Sequence, residues 1–268
     1  MDLVPVSPVS VPRLRDRDAA APDEMPSGDE LKERTAELLD RLDELQNIFY
    51  ADRRRALLVV LQGRDASGKD GVVRKVFGAC SPMGCQVTGF GVPSEEERAH
   101  DYLWRVHRAI PPKGVIGIFN RSHYEDVLVV RVKDIVPKKE WSKRYDQINQ
   151  FERMLTENGV VILKFFLHIS RDEQRERLLD RLDDRRKNWK FRAGDLDDRE
   201  LWPQYTRAYA DALRKCSTPW APWYIVPADS KKSRDYLIAR TLVATLEGLP
   251  LEYPAVSSEA RKLRKKLS

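Results

Sequence analysis

Cysteine is scarce in this 268-residue sequence, and its three thiols, Cys80, Cys85 and Cys216, form neither a CxxC pair nor part of a His/Cys cluster. An odd count of scattered cysteines excludes a disulfide framework and points to structural or incidental thiols in a reducing setting. No run approaches the ~18 apolar residues of a membrane span, and the first thirty residues lack the apolar centre of a secretory signal. A soluble, cytoplasmic chain without a membrane partner is expected. No repeat of fixed period is present, which excludes a solenoid. One absence is local. In "LLVVLQGRDASGKDG", Leu57 to Gly71, the spacing GxxxxGK at Gly63, Gly68 and Lys69 is followed by Asp70 where Ser or Thr is usual. The hydroxyl that helps hold magnesium in such loops is therefore missing.

What is present begins with enough apolar residues, 41%, to bury one substantial core, and a net charge of +6 that calls for an acidic partner. Nucleic acid, an anionic membrane surface or a polyanionic substrate would each satisfy that charge. Residues 1–29 are rich in Pro, Asp, Arg and Ala without periodicity, as in a flexible arm or a draped extension. From Leu31 a helical pattern follows, with Leu38, Leu42, Leu45 and Phe49 near one face. Short apolar runs then alternate with charged helical stretches: "ALLVVLQG" from Ala56, "QVTGFG" from Gln86, "GVIGIFN" from Gly114, "VVILKFFLHI" from Val160 and "WYIVPA" from Trp223. Runs of strand length that are apolar throughout fit strands buried on both faces, and their alternation with helices implies right-handed crossovers. The fold class is α/β, a three-layer α/β/α arrangement around a five-stranded parallel sheet. The intervening helices are expected at Ser94–Ile110, Lys138–Asn158, Arg171–Arg185, Asp197–Cys216 and Ser230–Gly248. One domain spans 30–254. The tail, 255–268, carries Arg261, Lys262, Arg264, Lys265 and Lys266, which read as a solvated tail or, alternatively, a nucleic-acid contact.

The first apolar run enters the glycine loop, and "KDGVVRKVFGA" continues as a helix, the context in which GxxxxGK becomes a phosphate-binding loop. Backbone N–H groups of Ala66 to Asp70 point into such a loop, the helix N-terminus adds its positive end, and Lys69 reaches the phosphates. Magnesium needs only one or two carboxylates when water and phosphate complete its shell, so a loop carboxylate can replace the absent hydroxyl. Asp65 lies inside the loop where no capping role explains it. Asp70 reads equally as a first-turn helix residue or as a metal group.

The third run ends in "IFNRSHYEDVLVVRV", and residues past a strand's C-terminal end face the crevice of an open parallel sheet. Asn120, Arg121, His123, Glu125 and Asp126 are thereby expected near the loop. Glu125 and Asp126 are metal candidates, or else pair with nearby bases. His123, without a second close His or Cys, reads as a hydrogen-bonding residue rather than a zinc ligand. After the fourth run, "RDEQRERLLDRLDDRRKNWKFRAGDLDDRELW" is dense in basic residues, and Arg177, Arg181 and Arg185 recur every four positions. A stripe of this kind is often only a solvated face. Its place after a strand, with a turn at Trp189, Lys190 and Gly194, matches a lid over phosphates at about 171–200. The expected phosphate-binding set is Gly63, Ala66, Ser67, Gly68, Lys69, Asp70 and Gly71, with Arg74 on the following helix and Arg177 and Lys190 from the lid.

"GRDASGKDG", "WRVHRAIPPKGVIGIFNRSHYEDVL", "NWKFRAGDLDDRELW" and "TPWAPWYIVPADSKKSRDYLIARTLVATLEGL" together resemble the polyphosphate kinase 2 family, within it the branch with "FNRSHYEDV" that acts on nucleoside mono- and diphosphates. The likeness runs from about Leu31 to Pro254. It implies a P-loop kinase of the thymidylate-kinase-like fold with a helical lid, magnesium dependence, inorganic polyphosphate as donor or product, and a homodimer or homotetramer. Carried over by position, the family's loop aspartate is Asp65, its loop lysine Lys69, its strand-end arginine Arg121 and its lid arginine Arg181, the expected catalytic set. Asn120 departs from the nucleoside-diphosphate branches, which have Asp there, and is the candidate for acceptor selection. The implied reaction converts AMP to ADP and ADP to ATP, and the positive charge then serves polyphosphate rather than nucleic acid. Two rivals are an ATP-dependent nucleoside monophosphate kinase and a nucleic-acid-binding module, for which no motif is present.

Overall fold

The computed structural model describes residues 2–192, 194–257, 259, 260, 263 and 267, so the five basic side chains of the tail lie outside the described residues. In chain order the elements are α1 (Gly28–Asp52), β1 (Ala56–Gly63), α2 (Lys69–Lys75), β2 (Cys85–Gly89), α3 (Glu95–Ala99), α4 (Trp104–Arg108), β3 (Ile116–Asn120), α5 (Val129–Val132), α6 (Lys138–Trp141), α7 (Arg144–Glu157), β4 (Val160–His168), α8 (Arg171–Asp183), α9 (Gly194–Glu200), α10 (Trp202–Lys215), β5 (Trp223–Pro227) and α11 (Lys231–Glu247).

The five apolar runs form one parallel sheet in the order β2-β3-β1-β4-β5. β1 is buried at every position because strands flank it on both edges and helices cover both faces. Leu57, Val59 and Leu61 join Leu42, Phe49, Leu237 and Leu242 in the core under α1 and α11. Leu58 and Val60 face the opposite core with Ile148, Tyr209 and Leu213 of α7 and α10. This is the expected three-layer fold, and the alternation of one strand between two cores is its direct cause. From β1 the chain crosses to the far strand β2, returns to β3, and then passes to β4 on the other side of β1. Winding reverses at β1, and ligands bind outside the strand C-termini at such a switch point. Among the described residues no helix is long and apolar enough to cross a membrane.

Several expected helices are broken. The stretch expected over Ser94–Ile110 is split into α3, opened by a Ser94–Glu97 capping box, and α4, with His100 extended between them. Each piece is too short to bury a broad apolar face, and among their residues only Val106 is buried. The Lys138–Asn158 stretch divides into α6 and α7, and α10 starts afresh with a proline in its first turn, Pro203, which cannot donate to the preceding turn. The N-terminal residues run along β5: Val6 donates its N–H to Trp223 O at 2.8 Å, and Asp229 donates to Ala19 O at 3.1 Å. Leu14, Ala19 and Met25 are buried there, so this edge of the sheet is covered.

Candidate active site

The loop after β1 depends on backbone shapes that few residues tolerate. Gly68, the N-cap of α2, has φ of +100°, and a Cβ there would lie 1.9 Å from Arg234 Nη1. Glycine is required on both counts. Lys69 turns back to donate to Gly63 O at 2.7 Å and Arg64 O at 3.2 Å. Burial, reinforced by the neighbouring Arg121 charge and opposed by Asp65, lowers its amine to about 8.

Parallel register sets Asn120 beside Leu61, and Arg121 donates its N–H to Leu61 O at 3.1 Å. The end of β3 is thereby brought against the loop, as its position after the strand implied. Arg121 has φ of +63°, an uncommon conformation for a residue with a Cβ, and its guanidinium lies between two carboxylates. Asp65 Oδ1 is 2.5 Å away and Glu125 Oε1 3.7 Å away. Burial pushes the Asp65 carboxyl up, but Lys69 and Arg121 outweigh it and the group stays below its usual range. Glu125 goes the other way, raised by burial that Arg121 and Lys69 only partly offset, and Gln62 donates to it at 3.2 Å.

Asp126, expected beside Glu125 as a metal candidate, is not brought to the loop. Its carboxylate accepts from Arg144 at 2.9 Å, because the 3₁₀ turn His123–Asp126 rotates successive side chains by about 120°. Asp70 accepts from Asn120 Nδ2 at 2.8 Å and from Lys190 Nζ at 3.0 Å, which places both expected residues at the loop helix. Arg181 on α8 donates to Asp195 at 3.2 Å, and its charge also reaches Asp65. Arg74 is exposed on α2.

Arg177 departs from its expected place among the phosphate ligands. Its Nε donates to Glu173, Nη1 to Ala66 O at 2.9 Å, and Nη2 to Ala228 O and Asp229 O at 2.7 Å each. A guanidinium whose donors all serve backbone and a carboxylate is a brace for the loop, and Arg177 is buried accordingly. Arg185, assigned to the same helical stripe, follows the end of α8 at Asp183. Three supports were not foreseen from sequence: Arg234, 2% exposed, donates to Ser67 O at 3.4 Å from behind the loop; Gln174 donates to Asp65 O at 3.0 Å; and Arg64 stacks on Trp202 with its Cζ 3.9 Å from the ring centroid. Gln174 and Arg234 lie outside the loop motif and are brought to it from distant helices, whereas Arg64 lies inside GxxxxGK and reaches out to α10. His123 is the hydrogen-bonding residue expected, its Nε2 3.2 Å from Glu152.

Among the described residues no group of three or more His, Cys, Asp or Glu could hold a metal ion. Two hard-oxygen groups at the strand ends, Asp65 and Glu125, suit a cation that takes most of its shell from phosphate and water, and magnesium is such an ion. Two cationic groups, Lys69 and Arg121, lie with them at the C-terminal ends of adjacent parallel strands, with Lys190 and Arg181 reaching in from the lid. This is an arrangement for neutralising and aligning phosphoryl oxygens.

Comparison with known proteins agrees with the geometry. Residues 25–252 match the family Polyphosphate kinase 2 (PPK2). The chain is 55% identical over 231 residues to an AMP/ADP-polyphosphate phosphotransferase of Meiothermus ruber, covering 86% of each chain. It is 45% identical over 249 residues to an ADP-polyphosphate phosphotransferase of Rhodopseudomonas palustris, covering 87% of this chain and 86% of that one. The crystal structure of a polyphosphate kinase 2 from Arthrobacter aurescens superposes with a TM-score of 0.85 at 38% identity, covering 100% of this chain and 99% of the other. The chain belongs to the polyphosphate kinase 2 family.

Proposed function

We propose that the protein transfers phosphoryl groups between inorganic polyphosphate and AMP or ADP, giving ADP and ATP, with magnesium bound by Asp65 and Glu125. The observation that carries this reading is Arg121 held between those two carboxylates, with Lys69 charged and buried beside it. When phosphate enters, the Arg121 guanidinium exchanges a carboxylate partner for phosphoryl oxygens. Bound magnesium would supply further charge neutralisation. Lys69 is already tethered to the loop carbonyls, so its ammonium is positioned before the substrate arrives. Arg181 and Lys190 close over the transferring group from the lid.

The acceptor is a phosphate with a second pKa near ~6, largely ionised at pH 7, so no strong general base is needed. No covalent enzyme intermediate is needed either, since positioning and charge neutralisation do most of the work in phosphoryl transfer. Asn120, bonded to Asp70 at the loop helix, is neutral where a carboxylate would repel an acceptor phosphate, and it selects the acceptor. The net charge of +6 serves a polyanionic chain rather than nucleic acid. The working form is a cytoplasmic homodimer or homotetramer. The relatives named for AMP/ADP and ADP support this reading of the substrates.

Incubating the protein with AMP, polyphosphate and magnesium, and resolving nucleotides by chromatography, tests the proposal. ADP followed by ATP is expected, with no product when magnesium is chelated. Product formed from AMP only when ATP replaces polyphosphate would refute it and leave an ATP-dependent nucleoside monophosphate kinase.

A further inference from the structure

β4 is apolar except at its last residue, His168, and at its middle, where Lys164 points into the core with no solvent exposure at all. A buried ammonium needs partners for all three donors, and Lys164 has them. Its Nζ lies 2.5 Å from Glu152 Oε2, 2.8 Å from Tyr124 Oη and 2.7 Å from Cys216 O. Glu152, on α7 and equally inaccessible, uses its other oxygen to accept from Tyr124 Oη at 2.8 Å and lies 3.2 Å from His123 Nε2. Trp223 closes the cluster, its ring 4.7 Å from that of Tyr124 and edge-on to it. Burial alone would raise the Glu152 carboxyl, yet Lys164 and His123 hold it below its usual range.

The cluster converges on one segment. His123 and Tyr124 occupy the 3₁₀ turn between Arg121 and Glu125, the two groups that the proposed function sets against the phosphates. Arg121 adopts an uncommon backbone conformation, φ +63°, and such a residue persists only where its surroundings over-determine it. A buried ion pair is a poor source of stability compared with apolar side chains of the same volume, so its use inside this core calls for another reason. We propose that the Lys164–Glu152 pair is a positioning device for phosphoryl transfer, fixing through Tyr124 and His123 the turn that presents Arg121 and Glu125. The inference rests on the proposed function of those two residues and adds the device that holds them. Neither Lys164 nor Glu152 touches substrate. Strand β4, helix α7, the C-terminus of α10 and the 3₁₀ turn are all pinned at the one ammonium.

Tyr124→Phe keeps the ring and removes the hydroxyl that joins the turn to both charges. Glu152→Gln with Lys164→Met removes both charges together, so that neither is left buried without a partner. Each should lower kcat for AMP and polyphosphate at least tenfold while the KM for AMP changes less than threefold. The double variant should melt higher than either of its single parents without regaining kcat. Leu163→Ala is the control, since Leu163 is the neighbour of Lys164 on β4 and packs in the opposite core. It should lose at least as much melting temperature as Tyr124→Phe while its kcat stays within twofold of wild type. If Tyr124→Phe and the double variant keep wild-type kcat while Arg121→Ala is inactive, the pair is only structural and the inference fails alone. An active Arg121→Ala would overturn the reading of the site and the inference with it.

Discussion

Lys69→Met separates what the loop lysine does for the reaction from what it does to the fold. The amine is held at about 8 against an ordinary 10.5. At 1.36 kcal/mol per pH unit, keeping it charged at pH 7 costs the folded state about 3 kcal/mol. The sign follows from proton counting. Between pH 8 and 10.5 the unfolded chain holds a proton on Lys69 that the folded chain has released, so stability rises with pH across that window. Methionine removes this dependence, together with two hydrogen bonds to Gly63 O and Arg64 O at about 1 kcal/mol each. At pH 7 the variant should therefore be slightly more stable than wild type, by about 1 kcal/mol. It should also lose at least ~100-fold in kcat/KM, about 3 kcal/mol, through the missing charge on the transferring group. Urea midpoints from pH 7 to 11 give the comparison directly. Wild type should gain about 3 kcal/mol on the variant as pH rises from 8 to 10.5. Stability curves that run parallel over this range would refute the account of Lys69 as a charge stored under strain for use on phosphate. The same titration predicts that wild-type kcat/KM falls above pH 8, where the free enzyme loses the ammonium.

Three further substitutions probe the other groups. Asp65→Asn removes the charge facing Arg121 and should raise the magnesium needed for half-maximal rate at least tenfold while lowering turnover; unchanged magnesium dependence and rate would show that Asp65 is not a ligand. Arg181→Ala should cost about 2 to 3 kcal/mol in kcat/KM, whereas Arg186→Ala, whose side chain is 89% exposed and pairs with Asp184, should stay within about twofold. Equal effects in steady-state kinetics would show Arg181 to be an ordinary surface base. Asn120→Asp would set a carboxylate against Asp70 in place of the present 2.8 Å hydrogen bond, and should shift the AMP-to-ADP ratio of kcat/KM against AMP by about 1 to 3 kcal/mol. An unchanged ratio at saturating magnesium, even with a slower enzyme, would mean Asn120 does not choose the acceptor.

The lid illustrates how far spacing along one helix carries and where it stops. Arg177 and Arg181 are four residues apart and look equivalent in sequence, yet they differ in reach. Arg177, midway along α8, lies against the loop and the end of β5, and its donors are taken by backbone carbonyls. Arg181, one turn further from the sheet, pairs with Asp195 and is partly open to solvent. Arg234 shows the reverse limitation. Nothing in "SKKSRDYL" marks one base above its neighbours, and its role exists only because Gly68 leaves room for its guanidinium.

Local physics was enough for the class of fold and the phosphate loop. Buried parallel strands must be apolar along their length, and a phosphate loop must place glycine and lysine at fixed intervals, so both leave marks in a contiguous stretch. The choice of partners across the molecule leaves no such mark. Glu125 and Asp126 are adjacent, alike in chemistry and equally plausible beside the loop. In the folded chain the tight 3₁₀ turn sends Glu125 toward Arg121 and Asp126 to Arg144, and the turn is held by Lys164 and Glu152 from two other elements. Which carboxylate reaches Arg121 was therefore settled only when β3, β4 and α7 packed together, because a 3₁₀ turn sets neighbouring side chains about 120° apart and tertiary contacts, not residue type, fix which of them faces the loop.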